Sequence, residues 1–411
     1  MPSLPVKALV SRFRNASPLE KIIGALWCIV FLVIFIRAAR CPGQNTVLDT
    51  YMMAGRHWLE GKAVYSGRNG FVYSPLIAAF FAPLAMVPKI FGEILSRLLY
   101  GAVYLGALAW WLRAGFQRAI PANRQPLVFL LLLPLTIGNI NNAQVNPLLA
   151  GLMMLSLLAV HSERWMLAAF CSALAVYLKI YPVVVGMLLI AVAPRRFTWR
   201  WVVALIALGA LSFALQSPAY VLDQYRMWIH TRFSDNRHLY EGAIIPHDLW
   251  LLLRMAHISI SENAYLGLQV LSGAAIGAVC VLGRVRRWSP ERLFATMLSL
   301  VCSWMLLCGP ASESATYVIL APAVALALVS AYCRPLPFAM RALITSATVL
   351  LLAALGVNSF LDMRNNLTAK AIQPLGALLF CAYSYLLAAR SSWWNEVEAR
   401  EENRSRHSLL P

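Results

Sequence analysis

FVYSPLIAAFFAPLAMVP, Phe71 to Pro88, decides how the chain is threaded, because whether it crosses a bilayer fixes the orientation of everything after it. The segment is apolar throughout, and a spanning helix needs about 20 such residues. Pro75, Pro83 and Pro88 interrupt it, and proline inside a helix removes a hydrogen bond and kinks the backbone. The deciding signal lies in the flanking charge. Basic clusters occur at Lys7/Arg12/Arg14/Lys21, Arg113/Arg118/Arg124, Arg164, Arg195/Arg196/Arg200, Arg284/Arg286/Arg287/Arg292, Arg334/Arg341 and the C-terminal tail. They share one side only if the chain crosses an odd number of times between Tyr65 and Arg113. Full spans at both 71–88 and 95–113 would break that pattern, so 71–88 is expected to lie as a juxtamembrane or re-entrant helix on the outer side.

Composition agrees with a chain built for lipid. Of 411 residues 60% are hydrophobic and only 13% charged, which points to an all-α polytopic membrane protein. Apolar windows fall near 21–38, 71–88, 95–113, 126–139, 145–161, 165–178, 181–194, 200–216, 264–283, 293–309, 315–332, 340–357 and 371–389. With 71–88 set aside they predict about twelve crossings and two cytoplasmic termini. The expected layout is a cytoplasmic segment 1–20, a transmembrane unit 21–390 with outer loops 39–94 and 217–263, and a cytoplasmic tail 391–411. The first apolar run lacks a small-residue cleavage site and reads as a retained helix. The net charge of +18 follows the positive-inside bias and gives no reason to invoke nucleic acid. Eight cysteines show no CxxC or Cys/His spacing, so neither a disulfide framework nor a metal site is expected. No P-loop, HExxH, GxSxG or Rossmann fingerprint stands in a usable context.

This threading collects the polar residues on the outer face. Asp49 begins an amphipathic stretch, LDTYMMAGRHWLEGKAVY; it either caps that helix or takes a proton from a sugar hydroxyl. Lys179, in LKIYP, either snorkels to the headgroups or meets a lipid phosphate, since it stands on the outer side against the usual lysine bias. GNINNAQVN, Gly138 to Asn146, packs Asn139, Asn141, Asn142, Gln144 and Asn146 into one turn. Ordinary turn chemistry accounts for part of that, and carboxamides also suit sugar hydroxyls. In the long loop 217–263, aromatic residues are explained in part by an interfacial belt, with His247, Asp248 and Arg254 as polar candidates.

The order of these segments resembles the integral-membrane glycosyltransferases of the GT-C fold, specifically family 87, the polyprenyl-phosphate-dependent mannosyl- and arabinofuranosyltransferases. The resemblance rests on LDTYMMAGRHWLEGKAVY followed by FVYSPLIAAFFAPL, on GNINNAQVNPLL and on LAVYLKIYPVVV, with a weaker match through GPASESATYVILAPAVAL. It implies a GT-C-like bundle of transmembrane helices with juxtamembrane helices in the first outer loop, a base at Asp49, and a lipid-phosphate contact at or near Lys179. The chain departs from the pattern twice. Glu313 followed by SATY stands where many members have a histidine, and PHDLWLLLR stands where many have an Asn-Gln-Ser stretch.

The expected function is an inverting transfer of a sugar from a polyprenyl-phosphate donor to a lipid or glycan acceptor. The reaction faces the periplasmic or extracytoplasmic side of the inner (plasma) membrane, with membrane lipids as the surroundings. Asp49 is the expected base; Lys179, Tyr181, Arg254 and His247 are assigned to the donor phosphate; Asn142, Gln144, Asn146, Tyr73 and Glu313 are assigned to sugar and acceptor. No cofactor and no metal enter this scheme. The alternative is a secondary transporter or lipid flippase, which shares the layout of about twelve helices but should show repeated halves.

Overall fold

The computed structural model describes residues 16–65, 70–114, 118–233, 245–309, 312–360 and 366–394. The far N-terminal segment, most of the expected tail and the middle of the long loop lie outside them. Among the described residues the chain is helical, with no strand. In chain order the helices are α1 (Pro18–Arg40), α2 (Leu48–Leu59), α3 (Pro75–Ala85), α4 (Lys89–Arg113), α5 (Gln125–Asn141), α6 (Asn146–His161), α7 (Trp165–Leu178) and α8 (Val183–Val192). There follow α9 (Pro194–Leu215), α10 (Pro218–Phe233), α11 (Leu249–Met255), α12 (Glu262–Val285), α13 (Pro290–Leu307), α14 (Ala321–Ala331), α15 (Phe338–Phe360) and α16 (Leu367–Ala389).

This is a multi-pass membrane protein. Six described helices, α1, α4, α9, α12, α15 and α16, are long and apolar enough to cross a bilayer, while α3, α6, α7, α8 and α14 are shorter apolar helices. Four of the long helix starts are closed by side chains, which satisfy some of the first orphan N–H groups. Ser17 accepts from the Glu20 N–H and Glu20 accepts from the Ser17 N–H, with Pro18 in the first turn. Ser261, Ser289 and Asn366 cap α12, α13 and α16 in the same way.

The bundle is layered around α6. Helix α6 is buried at 146–154 and 156–160, whereas only 22%, 22% and 17% of the apolar windows of α1, α9 and α12 are buried. Those three helices therefore present apolar surface to lipid, and α6 is solvated by protein alone. At one end of the bundle, the basic face, Arg334 pairs with Glu291 at 2.8 Å, both almost fully buried, and Arg334 stacks 4.2 Å from the ring centre of Trp394. The opposite end is the loop face, where α1, α5 and α7 finish and α4, α6 and α8 begin.

Phe71–Pro88 starts and ends on the same face of the bundle. Helix α3 has 11 residues, about 16 Å at 1.5 Å per residue. Both ends of the segment meet the loop face. The Ser74 N–H donates to the Tyr177 carbonyl at the end of α7, at 3.4 Å, and just beyond Pro88 the Lys89 ammonium reaches Asp49. Helix α3 packs on α2, so closely that a Cβ on Gly55 would sit 2.7 Å from the Phe81 backbone. Because the obstacle is main chain, Gly55→Ala is expected to cost about 1–3 kcal/mol, read as a lower thermal midpoint in detergent.

Candidate functional site

The site is assembled from the loop-face ends of the helices. Helix α2 begins at Leu48, whose N–H is accepted by Thr46 Oγ1 at 3.1 Å. Its cap position is Val47, with no side-chain cap. Asp49 lies in the first turn, where a negative charge suits the helix dipole, and does not cap the helix. Its carboxylate is held by Lys89 at the start of α4, with Nζ 2.7 Å from Oδ1 and 2.8 Å from Oδ2. Both side chains are partly open to solvent.

One turn along α4 lies a second ion pair, Glu93 with Arg97, and here both side chains are almost fully buried. Arg97 also donates to the Glu93 carbonyl at 2.8 Å and to the Asn141 carbonyl at 2.7 Å. Glu93 accepts from the Gly43 N–H at 3.2 Å, and Arg37 at the end of α1 donates to Asn141 Oδ1 at 2.6 Å. Three helix ends and the first loop are therefore joined through one buried pair.

The amide-rich turn is a bracket between two groups of residues. On one side the Val47 N–H donates to the Asn142 carbonyl at 3.0 Å, which ties the turn to the Asp49 helix. On the other, Asn146 Nδ2 donates to the Ala315 carbonyl at 3.1 Å, which ties it to the segment carrying Glu313. The bend passes through Ala143 at φ +52°, and the Gln144 N–H donates to the Asn139 carbonyl at 3.0 Å. Much of the asparagine content is thus accounted for by structure. Asn139 Oδ1 and Asn146 Oδ1 remain buried with no hydrogen-bond partner among the described residues, and Gln144 is buried beside them.

A tyrosine cluster forms the inner part of the site. The hydroxyls of Tyr51 and Tyr73 lie 2.9 Å apart, with their rings edge to face at 5.2 Å, and Tyr65 donates to the Tyr73 carbonyl at 2.6 Å. Tyr181, between α7 and α8, has a buried hydroxyl with no hydrogen-bond partner among the described residues. Burial pushes its pKa well up, and Tyr73 and Glu313 push it further, so at neutral pH it is a proton donor. Lys179 Nζ lies 5.6 Å from the Tyr181 ring centre, at cation–π range.

The late segments approach from the far side. The His247 N–H donates to the Ser312 carbonyl at 2.7 Å, its Nδ1 lies 2.9 Å from Gln373 Oε1, and Tyr317 donates to its carbonyl at 2.7 Å. Burial lowers the His247 pKa, so the ring is held neutral; the Gln373 bond opposes that shift and Lys370 adds to it. Asp248 accepts from the Trp250 N–H at 3.1 Å and caps α11. Glu313 is exposed next to this junction.

Among the residues expected from the sequence, the structure brings Lys179, Tyr181, Tyr73 and Glu313 together and joins His247 and Asn146 to the Glu313 segment. Asp49 stands on the other side of the amide bracket. Tyr51 points into the core two residues, about 200°, further round α2, so Asp49 faces α4 rather than the tyrosines. Arg254, exposed at the end of α11, makes no described contact with any of them. Sequence reasoning missed Lys89, Tyr51 and the Glu93–Arg97 pair. A signal for Lys89 existed: it is a cation on the non-basic face, the same anomaly that singled out Lys179.

Comparison with known proteins adds one positive finding. A sequence model described as glycosyltransferase family 87 matches residues 71–310, 240 of the 411 residues. No curated protein matches the chain.

Proposed function

Because the chain belongs to glycosyltransferase family 87, we propose that it transfers a sugar of the mannose or arabinofuranose class from a polyprenyl-phosphate donor to a lipid or glycan acceptor, with inversion. The loop face is then the extracytoplasmic face of the inner (plasma) membrane, the bundle crosses about twelve times, and residues 21–390 act as one unit. The observation that carries this reading is that Lys179 lies over the ring of Tyr181, whose buried hydroxyl has no hydrogen-bond partner among the described residues. It stands at the junction of α7 and α8, on the side of the molecule where a lipid-linked molecule arrives.

In the proposed reaction Asp49 takes the proton from the acceptor hydroxyl. The acceptor oxygen attacks the anomeric carbon from the side opposite the phosphate, a single displacement that inverts configuration. As the bond to phosphate breaks, Lys179 balances the growing negative charge and the Tyr181 hydroxyl donates to a phosphate oxygen; preorganised donors of this kind contribute about 3–4 kcal/mol each. Asn142, Gln144, Asn146, Tyr73 and Glu313 present the carbonyls, amides and hydroxyls that sort sugar and acceptor, and His247 positions the Glu313 segment.

The test is release of polyprenyl phosphate from a panel of polyprenyl-phosphate sugars by the protein in lipid nanodiscs, supplied with a lipid extract as acceptor. Release from one donor supports the reading and identifies the sugar; failure with every donor overturns the donor class. Tyr181→Phe separates chemistry from packing. Removing a buried hydroxyl that bonds to nothing is expected to leave stability unchanged or raise it by about 1 kcal/mol. Transfer should fall by about 10²–10³-fold through loss of one donor.

A further inference from the structure

The ion pair between Asp49 and Lys89 conflicts with the role proposed for Asp49. A hydroxyl that gives its proton to Asp49 must first reach a carboxylate oxygen, and here both oxygens lie within 2.8 Å of one ammonium. The pair is no accident of two loose surface chains. Gly43, at φ +87°, brings the backbone so close that a Cβ there would lie 2.1 Å from Lys89 Nζ and 3.0 Å from Asp49 Oδ2. The Gly43 N–H is fixed in turn by Glu93, which Arg97 holds. Yet the pair itself is open to solvent, with side-chain exposures of 38% for Lys89 and 50% for Asp49. Pairs of this kind are weak and screened, so a stronger anion can take the lysine away.

We infer that Lys89 is an exchange residue: in the resting protein it occupies Asp49, and the phosphate of the incoming donor draws it off, so that Asp49 becomes available as a base only when donor is bound. The inference rests on the reading of Asp49 as base and of a polyprenyl phosphate as donor group. Lysine suits the task, being a compact charge on a flexible four-carbon stem with rotatable donors. A phosphate oxygen accepts from it in a charge-assisted bond. In the step that follows, the acceptor proton moves to Asp49 and the acceptor oxygen bonds to the anomeric carbon. The carbon–oxygen bond to phosphate breaks with its electron pair staying on the phosphate, whose charge rises from −1 to −2. Lys89 balances part of that added charge. Lys89 returns to Asp49 once polyprenyl phosphate has left and the Asp49 proton has passed to water.

The exchange makes the two members of the pair act on phosphate binding with opposite sign. A short-chain polyprenyl phosphate is titrated into nanodisc-held protein, with the corresponding polyprenol as the phosphate-free control. Lys89→Gln is expected to weaken binding about tenfold by losing a charged contact. Asp49→Asn is expected to tighten it about two- to fivefold, the worth of the exposed pair that no longer competes. Lys89→Arg should bind nearly as wild type. In the double variant the tightening should vanish; if it persists, Asp49 merely repels phosphate and the exchange is overturned. Equal affinity in all forms, or weakening by both single changes, also overturns it and leaves Lys89 a packing residue. Should Lys89→Gln fail to fold, Lys89→Met takes its place in the single and the double variant. Failure of wild type to bind any polyprenyl phosphate removes the donor reading and the exchange with it. Tighter binding by an Asp49→Asn protein that still transfers sugar would overturn the base assignment and the uncovering of a base with it, leaving only competition between Asp49 and phosphate for Lys89.

Discussion

Asp49→Asn should lower sugar transfer by about 10²–10⁴-fold, the range that a positioned general base contributes, while the protein remains folded. The two halves of that expectation have separate grounds. The change keeps the size and hydrogen-bonding shape of the side chain but removes its capacity to hold a proton at neutral pH. The structural loss is the pair with Lys89, which is half in solvent, and such pairs are worth about 0–1 kcal/mol. Asp49 also lies in the first turn of α2 without capping it, so the helix start does not depend on it. Transfer measured from a radiolabelled donor, beside the thermal midpoint of the same preparation, checks both. Full transfer by the Asn protein would remove Asp49 from the chemistry, and a large fall in midpoint would make it a structural residue.

The second large effect is on stability. Arg97→Met should destabilise the protein by about 3–5 kcal/mol, the cost of leaving a buried carboxylate without its partner. Glu93 is 1% exposed and Arg97 2% exposed, so water cannot replace the lost contact. The same change releases the Asn141 carbonyl, which Arg97 holds at 2.7 Å, and so frees the end of α5 from α4. Glu93→Leu combined with Arg97→Met should recover much of the loss, because replacing both members of a buried pair by apolar residues is often close to neutral. Thermal midpoints of both single variants and the double variant test this. A double variant as unstable as the sum of the two singles would show that the pair's charge, and not its unpaired remnant, is what matters.

These two predictions rest on residues of different legibility. Asp49 was readable because it is an isolated acid in a mixed loop after an apolar run. The limits of α7 were readable to the residue, since Arg164 and Lys179 bracket the apolar stretch Trp165–Leu178. The placement of Phe71–Pro88 followed from charge parity and agrees with both ends meeting the loop face. What sequence could not supply was partnership. Lys89 lies 40 positions from Asp49 and meets it only because α3 turns back on α2. Helix α5 was expected over 126–139 and runs over Gln125–Asn141, since Arg37 and Arg97 bond its polar end and so allow the helix to continue. The asparagines looked surplus to a turn, yet several serve as backbone anchors between segments far apart in the chain. That demand is set by tertiary structure and leaves no local pattern.

The brevity of the inner helices has a consequence for the lipid around them. At 1.5 Å per residue, α7 with 14 residues and α8 with 10 reach about 21 Å and 15 Å, against a hydrocarbon core of about 30 Å. A hydrophobic stretch shorter than its bilayer draws the leaflet inward at modest cost. If α7 and α8 span, the membrane beside Lys179 and Tyr181 is expected to be thinner, with headgroups lower there than around α1 or α12. With the donor class proposed above, a phosphate attached to a long isoprenoid would descend with that surface. It would then meet the Tyr181 hydroxyl while its tail stays dissolved in the leaflet, so the donor would not have to be extracted from the membrane.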